Sequence, residues 1–183
     1  VAFKGEKSYN GVALICRHKP EQVEFGFADD GSADETRLIR AVVDGIPVVN
    51  TYVPQGRAID HAMYRYKLEW YARLKKLFEN EYAPDQPLVW VGDINIAVEP
   101  IDVYEPELKG NNPCYHIDAR NAFREVCAFG FEDLFRKHHP GEELYSFFDY
   151  RLRNAVSNNL GWRIDYILAT APLAARCRAC DID

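Results

Sequence analysis

Apolar and polar residues alternate at short range through the first fifty positions. They define strand-like runs at Gly11 to Cys16, Val23 to Phe27, Arg37 to Val43 and Ile46 to Val53. The last two are joined across Asp44-Gly45, a dipeptide that favours a tight hairpin, so the opening half reads as antiparallel sheet. From Asp60, an expected N-cap, the period changes. Met63, Tyr66, Trp70, Leu74, Leu77 and Phe78 recur at three- and four-residue steps, with Arg65, Lys67, Glu69, Arg73, Lys75 and Lys76 assigned to the opposite, solvated face. This predicts an amphipathic helix of about four turns. After Pro84 and Pro87, the run Leu88 to Val91 reads as a strand buried on both sides. A second helix is expected over Ala119 to Phe129 with Gly130 as its cap, a shorter one near Glu132 to Lys137, and strands at Tyr145 to Asp149, Trp162 to Ala169 and Cys177 to Ile182. The order predicts an α/β chain: a layered α/β sandwich of two mainly antiparallel sheets flanked by helices.

At 183 residues and 48% hydrophobic content the chain suffices for one domain, 1–183, with a substantial core. It has no apolar run approaching the roughly 18 residues of a membrane span, and its first residues do not form a signal peptide, so a soluble, cytoplasmic protein that does not engage membranes is expected. Five scattered cysteines fit a reducing compartment better than a disulfide framework. The pair Cys177 and Cys180 is read as two half-buried strand thiols rather than a zinc or redox site. A net charge of −6 argues against coating nucleic acid by bulk attraction. The arginines nevertheless cluster in the second half, from Arg120 and Arg124 through Arg136, Arg151, Arg153 and Arg163 to Arg176 and Arg178, which leaves room for a local basic face.

Chemistry concentrates in two stretches, Leu88-Val-Trp-Val-Gly-Asp-Ile-Asn95 and Gly161-Trp-Arg-Ile-Asp-Tyr-Ile-Leu168. Each sets a carboxylate, Asp93 or Asp165, against a strand-like apolar run, and Asn95 follows Asp93 two residues on. Carboxylates at strand edges beside a carboxamide suit a hard cation and a phosphate, which points to metal-assisted phosphate-ester hydrolysis. The plainer alternatives are that Gly92-Asp-Ile-Asn95 is only a turn and that Asp165 pairs with Arg163. In Asn50-Thr-Tyr-Val-Pro-Gln-Gly56, Tyr52 and Gln55 are left at a strand end able to offer hydrogen bonds.

Taken together and in this order, these segments resemble the exodeoxyribonuclease III family of apurinic/apyrimidinic endonucleases, within the endonuclease/exonuclease/phosphatase superfamily. Lys7-Ser-Tyr-Asn-Gly-Val-Ala13, Tyr66-Lys-Leu-Glu-Trp70, Ile101-Asp-Val-Tyr104 and Tyr145-Ser-Phe-Phe-Asp-Tyr150 extend the likeness over nearly the whole chain. The resemblance implies a Mg²⁺-dependent nuclease, with Mn²⁺ as a substitute, that cleaves double-stranded DNA 5′ to abasic sites and acts on 3′ ends, as a monomer when full length. It implies that Asp93 activates the water or protonates the leaving oxygen, that Asn95 and Tyr52 bond the scissile phosphate, and that Asp93 and Asn95 serve the metal. By the same likeness Asp165 would orient a histidine. Phe147 and Trp162 would wall a pocket for an extrahelical baseless sugar, Gln55 would contact substrate, and Arg57 and Leu152 would lie against or within the duplex.

Family members also carry an upstream strand with an Asn and a metal-binding Glu, and a closing Ser-Asp-His motif. Neither is found between Val1 and Asp183, so a chain incomplete at both ends, inactive or nearly so alone, is expected. His138-His139 reads as a solvated turn and offers no substitute, and the loop Asn111 to Asp118 departs from the family pattern. Two other readings fit the residues less fully: a relative that hydrolyses phospholipid or inositol phosphate, and a non-catalytic DNA-binding fragment.

Overall fold

A computed structural model describes residues 1–7 and 9–183; Ser8, within the Lys7 to Ala13 match, lies outside the described residues. Five strands open the chain: β1 (Ala2–Gly5), β2 (Gly11–Leu14), β3 (Glu21–Phe25), β4 (Leu38–Val43) and β5 (Ile46–Tyr52). Helix α1 (Ala62–Glu81) crosses to β6 (Val89–Asp93), followed by α2 (Ile117–Cys127), β7 (Phe131–Asp133) and α3 (Leu134–His138). The hairpin β8 (Phe147–Phe148) and β9 (Gly161–Trp162), then β10 (Asp165–Thr170) and α4 (Ala171–Ala174), complete it.

The centre is a six-stranded sheet in the order β3-β4-β5-β6-β10-β7. Every pairing is antiparallel except β5 with β6, which are parallel because α1 carries the chain back between them. The expected α/β layering holds, with α1 and α2 over one face and the hairpin β1–β2, α3 and α4 over parts of the other. On the helical face Trp70, Leu74 and Phe78 of α1 pack with Trp90, Leu168 and Phe123 in the main core. On the other face Val12 and Leu14 of β2 pack against Ile39 and Ala41. The Trp90 indole N–H donates to the buried Thr51 hydroxyl at 2.9 Å, tying β5 to β6 under this core. Thr51→Val leaves that donor unpaired, with an expected loss of about 1–2 kcal/mol, measured by urea unfolding.

Several local expectations are corrected. Asp60 is one position early, since the His61 side chain accepts from the Met63 amide and caps α1. α2 runs Ile117–Cys127, two residues earlier than expected, and Gly130 lies past its cap with φ +132°. Val89 and Val91 are only half-buried, so β6 is fully covered on its helical face alone. The strand expected at Cys177 to Ile182 is absent, because β10 already has β6 and β7 on its two edges and Pro172 turns the chain into α4. Cys177 and Cys180 instead lie in an irregular segment packed near Leu134, Ala169 and Ala174. All five cysteines are free, and no helix among the described residues is long and apolar enough to cross a membrane.

Candidate active site

Register alone gathers three of the residues singled out in the sequence. Tyr52 stands opposite Asp93 in the β5–β6 ladder, and Asp93 stands opposite Asp165 in the β6–β10 ladder, so the three form a transverse row across one end of the sheet. Beyond this row the chain turns. Asn95 takes φ +53° and its backbone N–H donates to Asp93 Oδ1 at 2.9 Å, while its amide Nδ2 donates to the Val53 carbonyl at 2.8 Å. The turn reading of Gly92-Asp-Ile-Asn95 is therefore correct as geometry, and the turn aims Asn95 into a cleft. Gly92 makes it possible. At φ +122°, a Cβ there would stand 2.1 Å from the Thr51 carbonyl oxygen.

The cleft encloses about 580 Å³, with Tyr52, Gln55, Asp93 and Asn95 along its floor. Phe147 and Trp162 form one wall and are direct cross-strand partners in the β8–β9 hairpin. Trp162 also meets the Tyr104 ring edge-to-face at 6.2 Å, and Leu152 lines the mouth. Lys109, whose ammonium lies 4.0 Å from the Tyr104 ring centroid, adds positive charge to the lining. Arg57 is not part of it: it is exposed on the outgoing loop at φ +63°, its amide bonded to Gln55 Oε1.

Asp165 shares the row with Asp93 but faces a neighbouring hollow with Ser146, Phe135 and Asp181 rather than the cleft itself. Arg163, its partner in the plainer alternative, points away, to Asp102 and Asp133, both at 2.8 Å. His139 is no solvated turn. It stacks on Phe135 and bonds Glu142 and Asp181, and these carboxylates raise its pKa.

Desolvation pushes the Asp93 carboxyl up to about 7, and the nearby Asp165 charge adds to this, against smaller opposing effects of the Asn95 N–H, Lys67 and Arg37. Partial desolvation also raises Asp165. A carboxylate poised near neutrality on a cleft floor can exchange a proton at working pH. Among the described residues no three His, Cys, Asp or Glu side chains converge as a ready metal cage. Any cation held here keeps much of its water, as Mg²⁺ commonly does.

The residues from 2 to 183 match the model of the endonuclease/exonuclease/phosphatase family. The exodeoxyribonuclease III of Haemophilus influenzae is 31% identical over 97% of this chain and 70% of its own length. The chain belongs to this family, in its exodeoxyribonuclease III branch. An apurinic/apyrimidinic endonuclease from Archaeoglobus fulgidus superposes with a TM-score of 0.97 at 48% identity, over all of this chain and 70% of that one. The 3′-5′ exonuclease from Neisseria meningitidis gives 0.90 at 35% identity, over 95% of this chain and 68% of that one. A DNA-(apurinic or apyrimidinic site) endonuclease from Dictyostelium discoideum is 31% identical over 92% of this chain but only 46% of its own length. The chain thus spans about half of that relative.

Two residues of this exodeoxyribonuclease III-type site escaped the sequence reading. Lys67, assigned to the solvated face of α1, is fully buried beneath the cleft, and desolvation lowers its pKa. Cys114 lines the floor with its Sγ 3.8 Å from Asn95 Oδ1, and burial raises its pKa. Lys67 had a signal: it falls three residues before Trp70 and four before Tyr71, on the apolar stripe.

Proposed function

We propose that the protein carrying this chain is a Mg²⁺-dependent DNA-repair nuclease that hydrolyses the phosphodiester 5′ to an abasic site and also acts on 3′ ends. The observation that carries the reading is the joining of a proton-exchanging carboxylate, Asp93, with Tyr52 and Asn95 on the floor of a cleft walled by the Phe147–Trp162 pair.

The donors fit a hard cation. They are oxygens from Asp93 and Asn95 in the cleft lining, and a cation beside Asp93 would favour its ionised form against the desolvation and the Asp165 charge that raise its pKa. When bound, Mg²⁺ supplies charge neutralisation at the phosphate oxygens. The rest belongs to the protein. Asp93 takes a proton from water as the water oxygen bonds to phosphorus in line with the leaving O3′. That oxygen departs with the electron pair of the broken P–O bond and takes a proton from solvent water, leaving a 3′-hydroxyl and a 5′-phosphate. The Tyr52 hydroxyl and one Asn95 amide N–H donate to the phosphate oxygens as charge builds on them. The aromatic walls accept a sugar that lacks its base, and a normal nucleotide is too large and costs more to extrude.

The test is an end-labelled duplex carrying one abasic site, incubated with Mg²⁺. A single nick on the 5′ side is expected. Trp162→Ala with Phe147→Ala should cut the preference for abasic over intact duplex by about tenfold or more, while general duplex binding persists. Faster turnover of a phosphoinositide than of the abasic duplex would overturn the assignment.

A further inference from the structure

Lys67 reaches the cleft from behind. It lies on α1, in the helical layer, and its side chain passes through the core to end under the floor. There the ammonium donates to three backbone carbonyls: Asn95 at 2.7 Å, Pro113 at 2.8 Å and Gln55 at 3.2 Å. An ammonium has three N–H donors and no acceptor, so all its bonding capacity is used. The three carbonyls come from three loop segments: the one after β5, and the two ends of the long β6–α2 connection, which short 3-10 turns at Pro100–Asp102 and Pro106–Leu108 separate. Each loop also contributes to the cleft lining, through Gln55, Asn95 and Cys114.

Apart from the Ala97 N–H bond to the Cys114 carbonyl at 2.7 Å and the long Cys114 Sγ contacts to Gln55 and Asn95, no ladder or helix connects these loops at this point, and their backbones are unusual here. Asn95 sits at φ +53° and Gly56, beside Gln55, at φ +101°. Gly56 also makes space for the lysine. A Cβ at that position would stand 3.1 Å from Pro113 Cβ, 3.2 Å from the Tyr64 ring and 3.4 Å from Lys67 Cδ. The glycine, the buried cation and the three carbonyls therefore form one fitted unit.

We propose that Lys67 is a positioning residue for hydrolysis, fixing the three loops so that Asn95 and Gln55 meet the substrate in register with Asp93. It never touches substrate. It acts through the carbonyls it holds, and a floor loosened by even an ångström loses the alignment on which rate depends. This rests on the nuclease reading above.

The test compares Lys67→Met, Lys67→Arg and, as a stability control on the same helix, the core variant Leu74→Ala. Lys67→Met is expected to lower kcat by about 100-fold with KM changed by less than about fivefold. Lys67→Arg keeps the charge but not the three-way fit and should recover kcat to within about three- to tenfold of the parent. Leu74→Ala should lower the melting temperature without lowering kcat. In metal-free protein without DNA, amide exchange should accelerate in Lys67→Met in the segments holding Gln55, Asn95 and Cys114, with β4 unchanged. That arm needs no substrate, so failure of the nuclease reading leaves it standing. The proposal is overturned if folded Lys67→Met keeps kcat within about threefold, if Leu74→Ala loses kcat equally, or if exchange accelerates uniformly. Should Lys67→Met not fold, Lys67→Arg decides: a kcat no lower than that of Leu74→Ala overturns the proposal, and a lower one supports it.

Discussion

Asp93→Asn is expected to reduce cleavage of an abasic duplex by about 10²–10⁴-fold while leaving duplex affinity within a small factor, because it removes the proton acceptor and keeps the shape. The same substitution should stabilise the metal-free protein at alkaline pH. Desolvation and the adjacent Asp165 push the Asp93 carboxyl up to about 7, above its unfolded value, so the folded state holds the extra proton. The stability this gives is full below about pH 4 and is lost as pH rises toward 7, where the carboxylate must ionise in place. Asparagine is spared that cost, and at pH 8 with a chelator the variant should be more stable by about 1–3 kcal/mol. Chemical unfolding at pH 4 and pH 8 measures it. A variant that cleaves normally, or whose stability advantage does not grow with pH, would contradict the role given to Asp93.

Asp102→Ala should be the most destabilising single change. Asp102 is 0% exposed, and its Oδ1 accepts from Arg163 Nε at 2.8 Å and from the Arg136 guanidinium, while Oδ2 accepts from the Glu99 amide at 2.9 Å. Burial alone would raise its pKa, but the two guanidiniums outweigh it and hold the carboxyl below the usual range. Truncation leaves the Arg163 Nε, in a side chain 1% exposed, without its acceptor and the buried guanidinium with Asp133 as its one remaining carboxylate, a loss of about 3–5 kcal/mol and about 10 °C in melting temperature. Because the folded pKa is depressed, this contribution is present above about pH 4 and fades only in acid. The damage should reach the cleft. The Asp102 carbonyl accepts from the Arg163 amide at 2.8 Å, and Val103 bridges to Trp162, so the aromatic wall hangs on this network. Calorimetry reads the first effect and a raised KM for abasic duplex the second.

The network also limits what the charge pattern can supply to a basic face. The arginines of the second half suggested a basic face, but Arg136 and Arg163 are spent on Asp102, Arg124 pairs with Glu99, and Arg151 pairs with Asp149. Linear sequence shows charge but not which carboxylate lies across the fold. Short-range patterns were readable. The period of α1, the Asp44-Gly45 hairpin and the strand-end placement of Asp93 and Asn95 follow from local composition and appear close to where they were expected. Register was beyond reach. That Tyr52, Asp93 and Asp165 share one row depends on how β5, β6 and β10 align, and residues 41 and 72 positions apart carry no local mark of it. Lys67 was misassigned because a lysine on a helix is ordinarily solvated, and only its place on the apolar stripe argued otherwise.

The most direct measurement is a crystal structure of the Asp93→Asn protein bound to a duplex with one abasic site. The phosphate 5′ to that site is expected on the cleft floor, within hydrogen-bond reach of Tyr52 Oη and the Asn95 amide, with the baseless sugar against Phe147 and Trp162. A duplex bound on another face, or a scissile phosphate resting away from residue 93, would contradict this placement.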